Sequence, residues 1–122
     1  MAKQAKVEGY VSKAVLENFR VSAHKARLVV DMIRGKSVGV ALDVLSCCDK
    51  KTAPVIKKLV LSAAANAKVR AGVDVDELVV KRVWVNEAKT IKRFMPRAHG
   101  RATPIRKRHS SITVLLDERG SI

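Results

Sequence analysis

Residues 86–109, NEAKTIKRFMPRAHGRATPIRKRH, constrain the fold more than any other stretch of this chain. Between Ala88 and Arg108 there is no Asp or Glu, and the large apolar residues are too few to build a core. Pro96 and Pro104 bracket Arg97 to Thr103. The β-branched run Leu78 to Val85 precedes the stretch, and Ile112 to Leu116 follows it. Two strands joined through a basic excursion predict a long hairpin arm carried by a small domain. If residues 86–97 form one side, each strand reaches roughly 35–40 Å. An isolated two-stranded ribbon is marginal in water, so a bare arm is expected to be mobile alone and fixed on a polyanion.

The charges suit that partner. Lys89, Lys92, Arg93, Arg97, Arg101, Arg106, Lys107 and Arg108 lie along the arm. An arginine can fork onto two phosphate oxygens, whereas a lysine acts as a point charge. The same charges, with the prolines, discourage pairing with other strand edges. Gly100 supplies a permissive backbone for the turn, and Ala98, Gly100 and Ala102 keep the tip slim. The whole chain carries a net charge of +14 over 122 residues. Such self-repulsion brings no stability and points to an anionic partner, of which nucleic acid is the commonest. Aromatic residues make up only 3% of the chain, too few for a series of stacking platforms. Contacts to phosphates, sugars and helical shape are favoured over reading of splayed bases.

The rest of the chain fits one domain. Residues 1–12 are expected to be a flexible basic tail, and residues 13–122 a single α+β domain that includes the arm. Lys13 to Val21 suggests an edge strand. Ser22 sits at an N-cap position, followed by a helix to Arg34 with Ala26, Val29, Val30 and Ile33 as its buried stripe. Lys25 and Arg27 lie off that stripe and join the candidate RNA contacts. Gly35 is the expected stop. Ser37 starts a second helix with Val38, Ala41, Leu42 and Leu45 inward. Thr52 is placed to cap a third, with Pro54 in its first turn, Ile56, Leu59, Val60, Ala63 and Ala67 on its apolar face, and Gly72 at its end. The expected architecture is three helices packed on a small antiparallel three-stranded sheet, with a long β-hairpin extension.

The arm sequence also carries a resemblance. Ile91-Lys92-Arg93-Phe94-Met95-Pro96-Arg97-Ala98-His99-Gly100-Arg101-Ala102 resembles the arm of the bacterial ribosomal protein L-twenty-two family. The similarity extends to Ser22 to Val29, Asp31 to Lys36, Ala64 to Ala67 and Ser111 to Val114, and so covers most of the chain from Lys13 to Arg119. The resemblance implies a structural constituent of the large ribosomal subunit that binds large-subunit ribosomal RNA and supports early subunit assembly. Its hairpin would line the polypeptide exit tunnel, near a constriction shared with the fourth large-subunit protein and in reach of the nascent polypeptide. Gly100, Arg101 and Ala102 would face the tunnel. Ile91, Lys92 and Arg93 would line it too, in a segment whose alteration affects macrolide antibiotics in the family. One copy per ribosome and a cytoplasmic location follow from the same resemblance. Ile91 stands where close members carry Met, and the N-terminal tail is longer than in compact members.

Other readings fare worse. An architectural DNA binder also uses β-ribbon arms and proline wedges, but such proteins usually act as symmetric dimers, and no dimer seam is visible. For an enzyme, His24, His99 and His109 are far apart in sequence. There is no phosphate-cradling glycine loop and no evident nucleophile–base pair. Cys47 and Cys48 are adjacent, which suits neither a disulfide nor a zinc site. Asp74, Asp76 and Glu77 lack the ligand spacing of a calcium loop and read as a solvated connection. No cofactor is expected. The first residues lack the apolar core of a secretory signal, and no apolar run is long enough to span a membrane.

Overall fold

Three strands and three helices follow the apolar patterns over residues 10–118, which the computed structural model describes. They are β1 (Ser12–Phe19), α1 (Ala23–Val30), α2 (Val38–Cys47), α3 (Ala53–Ala71), β2 (Leu78–Pro96) and β3 (Ala102–Glu118). Short 3-10 turns at Val75–Glu77 and Ala98–Gly100 lead into β2 and join it to β3. The sheet is antiparallel with strand order β1-β3-β2. This is the expected α+β class.

The domain's half of β3 is the centre of the core. Ile112, Val114 and Leu116 are fully buried on one face of the sheet. They pair with Leu16, Ala14 and Ser12 of β1 on one side, and with Val85, Val83 and Val80 of β2 on the other. Side chains two apart share a sheet face, so these rows form one apolar surface. α1 covers its β2 side and α3 its β1 side, while α2 packs on α3. Ala63, Ala64 and Ala67 are buried on α3, and their small size lets the helix lie close to the strands. Ser12 Oγ donates to the Ala63 carbonyl at 2.8 Å, and Asn66 Nδ2 donates to the Lys13 carbonyl at 3.1 Å. These bonds tie β1 to the helix directly.

Several boundaries differ from expectation for identifiable reasons. α1 stops at Val30 rather than Arg34. Its continuation tightens, with Met32 N–H donating to Val29 O and Ile33 N–H to Val30 O, both at 3.1 Å. The tighter winding still delivers Ile33 to the core. It also brings Gly35, at φ +77°, to the edge of the sheet. Thr52 has helical dihedrals and makes no side-chain capping bond, so it does not cap α3 as expected. Gly72 does close α3, at φ +65°, a left-handed conformation that glycine adopts without a Cβ penalty. Of the expected tail, residues 1–9 lie outside the described residues. Val11 and Ser12 are fully buried, and Val11 N–H donates to the Leu116 carbonyl at 2.8 Å.

The outer edge of β2 is covered rather than left open. Gly35 N–H donates to Val80 O at 3.1 Å, and Val80 N–H donates to Lys36 O at 2.9 Å. Farther along, Arg34 donates to Val83 O at 2.9 Å, and Arg27 donates to Val85 O through both Nε and a terminal nitrogen, at 3.3 and 3.0 Å. Two arginines thus satisfy carbonyls that an edge strand would otherwise offer to another chain. On the uncovered face of the sheet, buried Asp117 pairs with Lys81 at 3.1 Å and accepts the Glu118 N–H at 2.8 Å.

Leu116 is fully buried on the central strand, so Leu116→Ala should destabilise the fold by about 2–5 kcal/mol. A lowered urea midpoint at unchanged m-value is the expected readout.

Candidate nucleic-acid interface

β2 and β3 remain paired well beyond the helices. The ladder continues from Thr90↔Arg108 to Pro96↔Ala102, where β1 has already ended at Phe19. The strands are therefore longer than the apolar runs alone suggested, and the arm is a direct continuation of the sheet. Its residues from Lys92 to Pro104 are all exposed. Phe94, cross-strand from Pro104, is 73% exposed.

A register break marks the root of the arm. Between Glu87 and Thr90, β2 takes three steps while β3 takes two, from Ser110 to Arg108. The extra residue is a β-bulge, which bends the strand and exchanges the residues that face each side. Before the break, Val83, Val85 and Glu87 pair with β3 residues on the helix side; beyond it, Thr90, Lys92 and Phe94 do so. The sequence-contiguous cations are divided by this pattern. Lys92, Arg106 and Arg108 lie on the α1 side, and Arg93 and Lys107 on the opposite side with Ile91 and Ile105. Lys89 sits in the bulge.

At the tip, Arg97 N–H donates to the Arg101 carbonyl at 2.6 Å. His99 at φ +63° and Gly100 at φ +70° turn the chain between them. Gly100 was expected at the turn; the left-handed His99 was not. Asn and His tolerate this region better than most residues, but nothing in the sequence pattern singles out His99 over its neighbours. The residues expected to line a tunnel fall into two groups. Gly100, Arg101 and Ala102 are at the tip. Ile91 to Arg93 lie nearer the root, with Ile91↔Lys107 five pairs below Pro96↔Ala102, on the order of 17 Å along the strand.

The root is where the domain contributes charge of its own. A cleft of about 730 Å³ opens between the start of α1 and the arm, lined by Ser22, Ala23, His24, Arg27, Glu87, Thr90, Lys92, Arg106, Arg108 and His109. A second, of about 300 Å³, is bounded by Arg20, Val21, Ser22, Lys25, Arg106, Lys107 and Arg108. Lys25 and Arg27, singled out on α1 from sequence, are thereby brought against three arm cations. Arg20 was missed. The signal was available: it is the last residue but one before the α1 cap, directly after the edge strand. It also borders a smaller cleft with Ile91, Arg93, Lys107 and His109.

The fold brings His24 and His109 to one cleft despite their distance in sequence. Ser22 and Glu87 border it too, and no hydrogen bond joins these four side chains among the described residues. His109 Nδ1 and Ser110 Oγ are enclosed without a hydrogen-bond partner among the described residues. Among those residues, no group of three His, Cys, Asp or Glu side chains is placed to hold a metal, and no helix is long and apolar enough to cross a membrane.

Ser110 is fully buried, and an unmade buried hydrogen bond costs about 1–3 kcal/mol. Ser110→Ala should therefore keep or raise stability, by up to about 1 kcal/mol. A clear fall in melting temperature would show that the hydroxyl has a stabilising partner.

Residues 14–117 match the family described as Ribosomal protein L22p/L17e. The chain is 50% identical over 107 residues to the large ribosomal subunit protein uL22 of Bdellovibrio bacteriovorus, covering 88% of this chain and 97% of that one. It is 47% identical over 107 residues to the proteins of the same name from Staphylococcus haemolyticus and Staphylococcus epidermidis, covering 88% of this chain and 92% of theirs.

Proposed function

This chain belongs to the ribosomal protein L22p/L17e family, and from that premise we propose that its arm and arm root bind large-subunit ribosomal RNA while the tip lines the polypeptide exit tunnel. Membership makes it a structural constituent of the large ribosomal subunit and not an enzyme. Its place is therefore in the cytoplasmic ribosome.

The observation that carries the RNA reading is the exposed ladder from Thr90↔Arg108 to Pro96↔Ala102. It presents cations on both faces and no carboxylate. A ribbon aligned by the domain but without a core of its own is steadied further by an anionic surrounding on both sides, and folded ribosomal RNA supplies one. The domain and the arm act as one unit, since one pair of strands builds both. The same geometry supports a part in assembly. An arm that threads between RNA segments holds several of them together early, before the subunit closes around it.

The tip supports a separate role. Its small residues Ala98, Gly100 and Ala102 leave a narrow profile, and nothing lies within 4 Å of a Cβ built at Gly100. One copy per ribosome would bring Gly100, Arg101 and Ala102 to the tunnel beside the fourth large-subunit protein, in reach of the nascent chain. Ile91, Lys92 and Arg93 would line the tunnel farther along the arm.

Retention on the large subunit through a high-salt wash tests the assignment. Competition between duplex DNA and ribosomal RNA fragments separates it from the DNA reading; preference for the duplex would sink it. Neutralising Arg106, Lys107 and Arg108 together should flatten the salt dependence of RNA binding, by roughly 0.7–0.9 in log–log slope for each phosphate they no longer neutralise. An unchanged slope would mean that these side chains face water. A bulky residue at Gly100 should disturb nascent-chain passage or stalling more than subunit assembly. Ribosome profiling of the variant, beside sucrose-gradient quantification of its large subunits, measures both.

A further inference from the structure

We propose that the two clefts at the arm root form one phosphodiester-binding site, which holds consecutive backbone phosphates of an RNA strand and uses Arg20 and His24 in addition to the arm cations. The inference rests on the RNA reading above and adds a place, a ligand group and two residues to it.

The clefts are continuous through shared walls, since Ser22, Arg106 and Arg108 line both. Together they collect Arg20, Lys25, Arg27, Lys92, Arg106, Lys107 and Arg108, with Glu87 as the one carboxylate. Two independent parts of the chain supply these groups, so their convergence is a product of the fold. The body contributes residues 20–27, and the arm contributes residues 92 and 106–108. The bulge at Ala88 and Lys89 is what turns Lys92, rather than its neighbours, toward α1.

Part of the site is held before a ligand arrives. Arg27 is held by two bonds to Val85 O, and Ser22 and Ala23 are anchored by the start of α1. Fixed donors lose less conformational freedom on binding than free side chains do. Ser22 makes no side-chain capping bond, and the first N–H groups of a helix lack intrahelical partners. These add neutral donors to the cationic wall.

The ligand follows from what the walls lack. Their only apolar side chains are Val21 and Ala23. An acidic peptide would find no pocket for an apolar anchor, and such anchors carry most of the affinity in protein interfaces. Arg106 and Arg108 are alternate residues of one strand, spaced about 7 Å apart along it, comparable with successive phosphates of an RNA strand. Arginine in such pairs reads phosphate oxygens bidentately.

The test uses the isotope-labelled full chain, titrated at low salt with a four-nucleotide oligouridine RNA and, separately, with polyglutamate. Saturable amide shifts should be confined to residues 20–27, 87–92 and 106–109, with Arg97 to Arg101 moving little. Combining Arg20→Gln with His24→Gln, both at exposed positions, should weaken oligouridine binding about tenfold, and the unchanged spectrum elsewhere would report intact folding. Unsaturable shifts spread over all cations would overturn the site, as would equal saturation by polyglutamate. Binding of a large-subunit ribosomal RNA fragment is measured in parallel. If the chain fails to bind that fragment, the RNA reading itself falls. If it binds and the double variant binds oligouridine equally well, only the root site falls.

Discussion

The pairing of β2 with β3 is the interaction on which the rest of the molecule depends. It runs without a change of partner from Leu78↔Glu118 in the core to Pro96↔Ala102 near the tip. Its two halves are stabilised differently. In the domain, Ile112, Val114 and Leu116 are covered by helices and gripped by a strand on each side. In the arm, only backbone bonds and cross-strand contacts remain. Register is strongly specified where one face is buried and weakly where neither is. The buried half therefore sets the register that the exposed half inherits. The arm needs no core because the domain aligns it.

That arrangement explains how a chain with a net charge of +14 keeps a stable fold. The core side of the sheet and the inward faces of the helices are apolar, and few charges are enclosed. Among the described residues Asp117 is the buried carboxylate, and Lys81 answers it at 3.1 Å. Many of the excess cations are placed in the arm and at its root, where solvent and an anionic partner can screen them. Repulsion among them acts on a ribbon that is marginal anyway, so its relief on binding costs the domain nothing. Arg27 and Arg34 also bond inward, where they cover the β2 edge.

Much of this was legible in the sequence, and the remainder fails to be for physical reasons. The helix stripes were readable because their burial repeats every three or four residues: Ala26, Val29, Val30 and Ile33 are all fully buried. The arm was readable from charge and proline placement. The full length of its ladder was not, because Lys, Arg and Pro disguise a pairing that the neighbouring core imposes. The bulge at Ala88 and Lys89 left no local mark either, and without it Arg93 rather than Lys92 would read as the cation turned toward α1. Arg20 escaped notice because its importance comes from the arm passing beside it, a contact between positions more than eighty residues apart. Thr52 shows the opposite error, a good capping residue in a place where helical dihedrals leave its hydroxyl nothing to cap.

The two ends of the arm are then held by different means, and this difference bears on their roles. At the root, the bulge, the Arg27 bonds and the start of α1 hold the backbone from which the cations project. At the tip, one backbone bond between Arg97 and Arg101 closes a turn whose His99 and Gly100 are both left-handed. A non-glycine residue in that region carries a conformational cost, and no packed side chain surrounds His99 to enforce it. The tip's shape is therefore set weakly by the chain itself and strongly by whatever encloses it. A better-held root suits the RNA contact proposed for it. A compliant, narrow tip suits the proposed tunnel wall, beside contents that change with every residue of a growing chain.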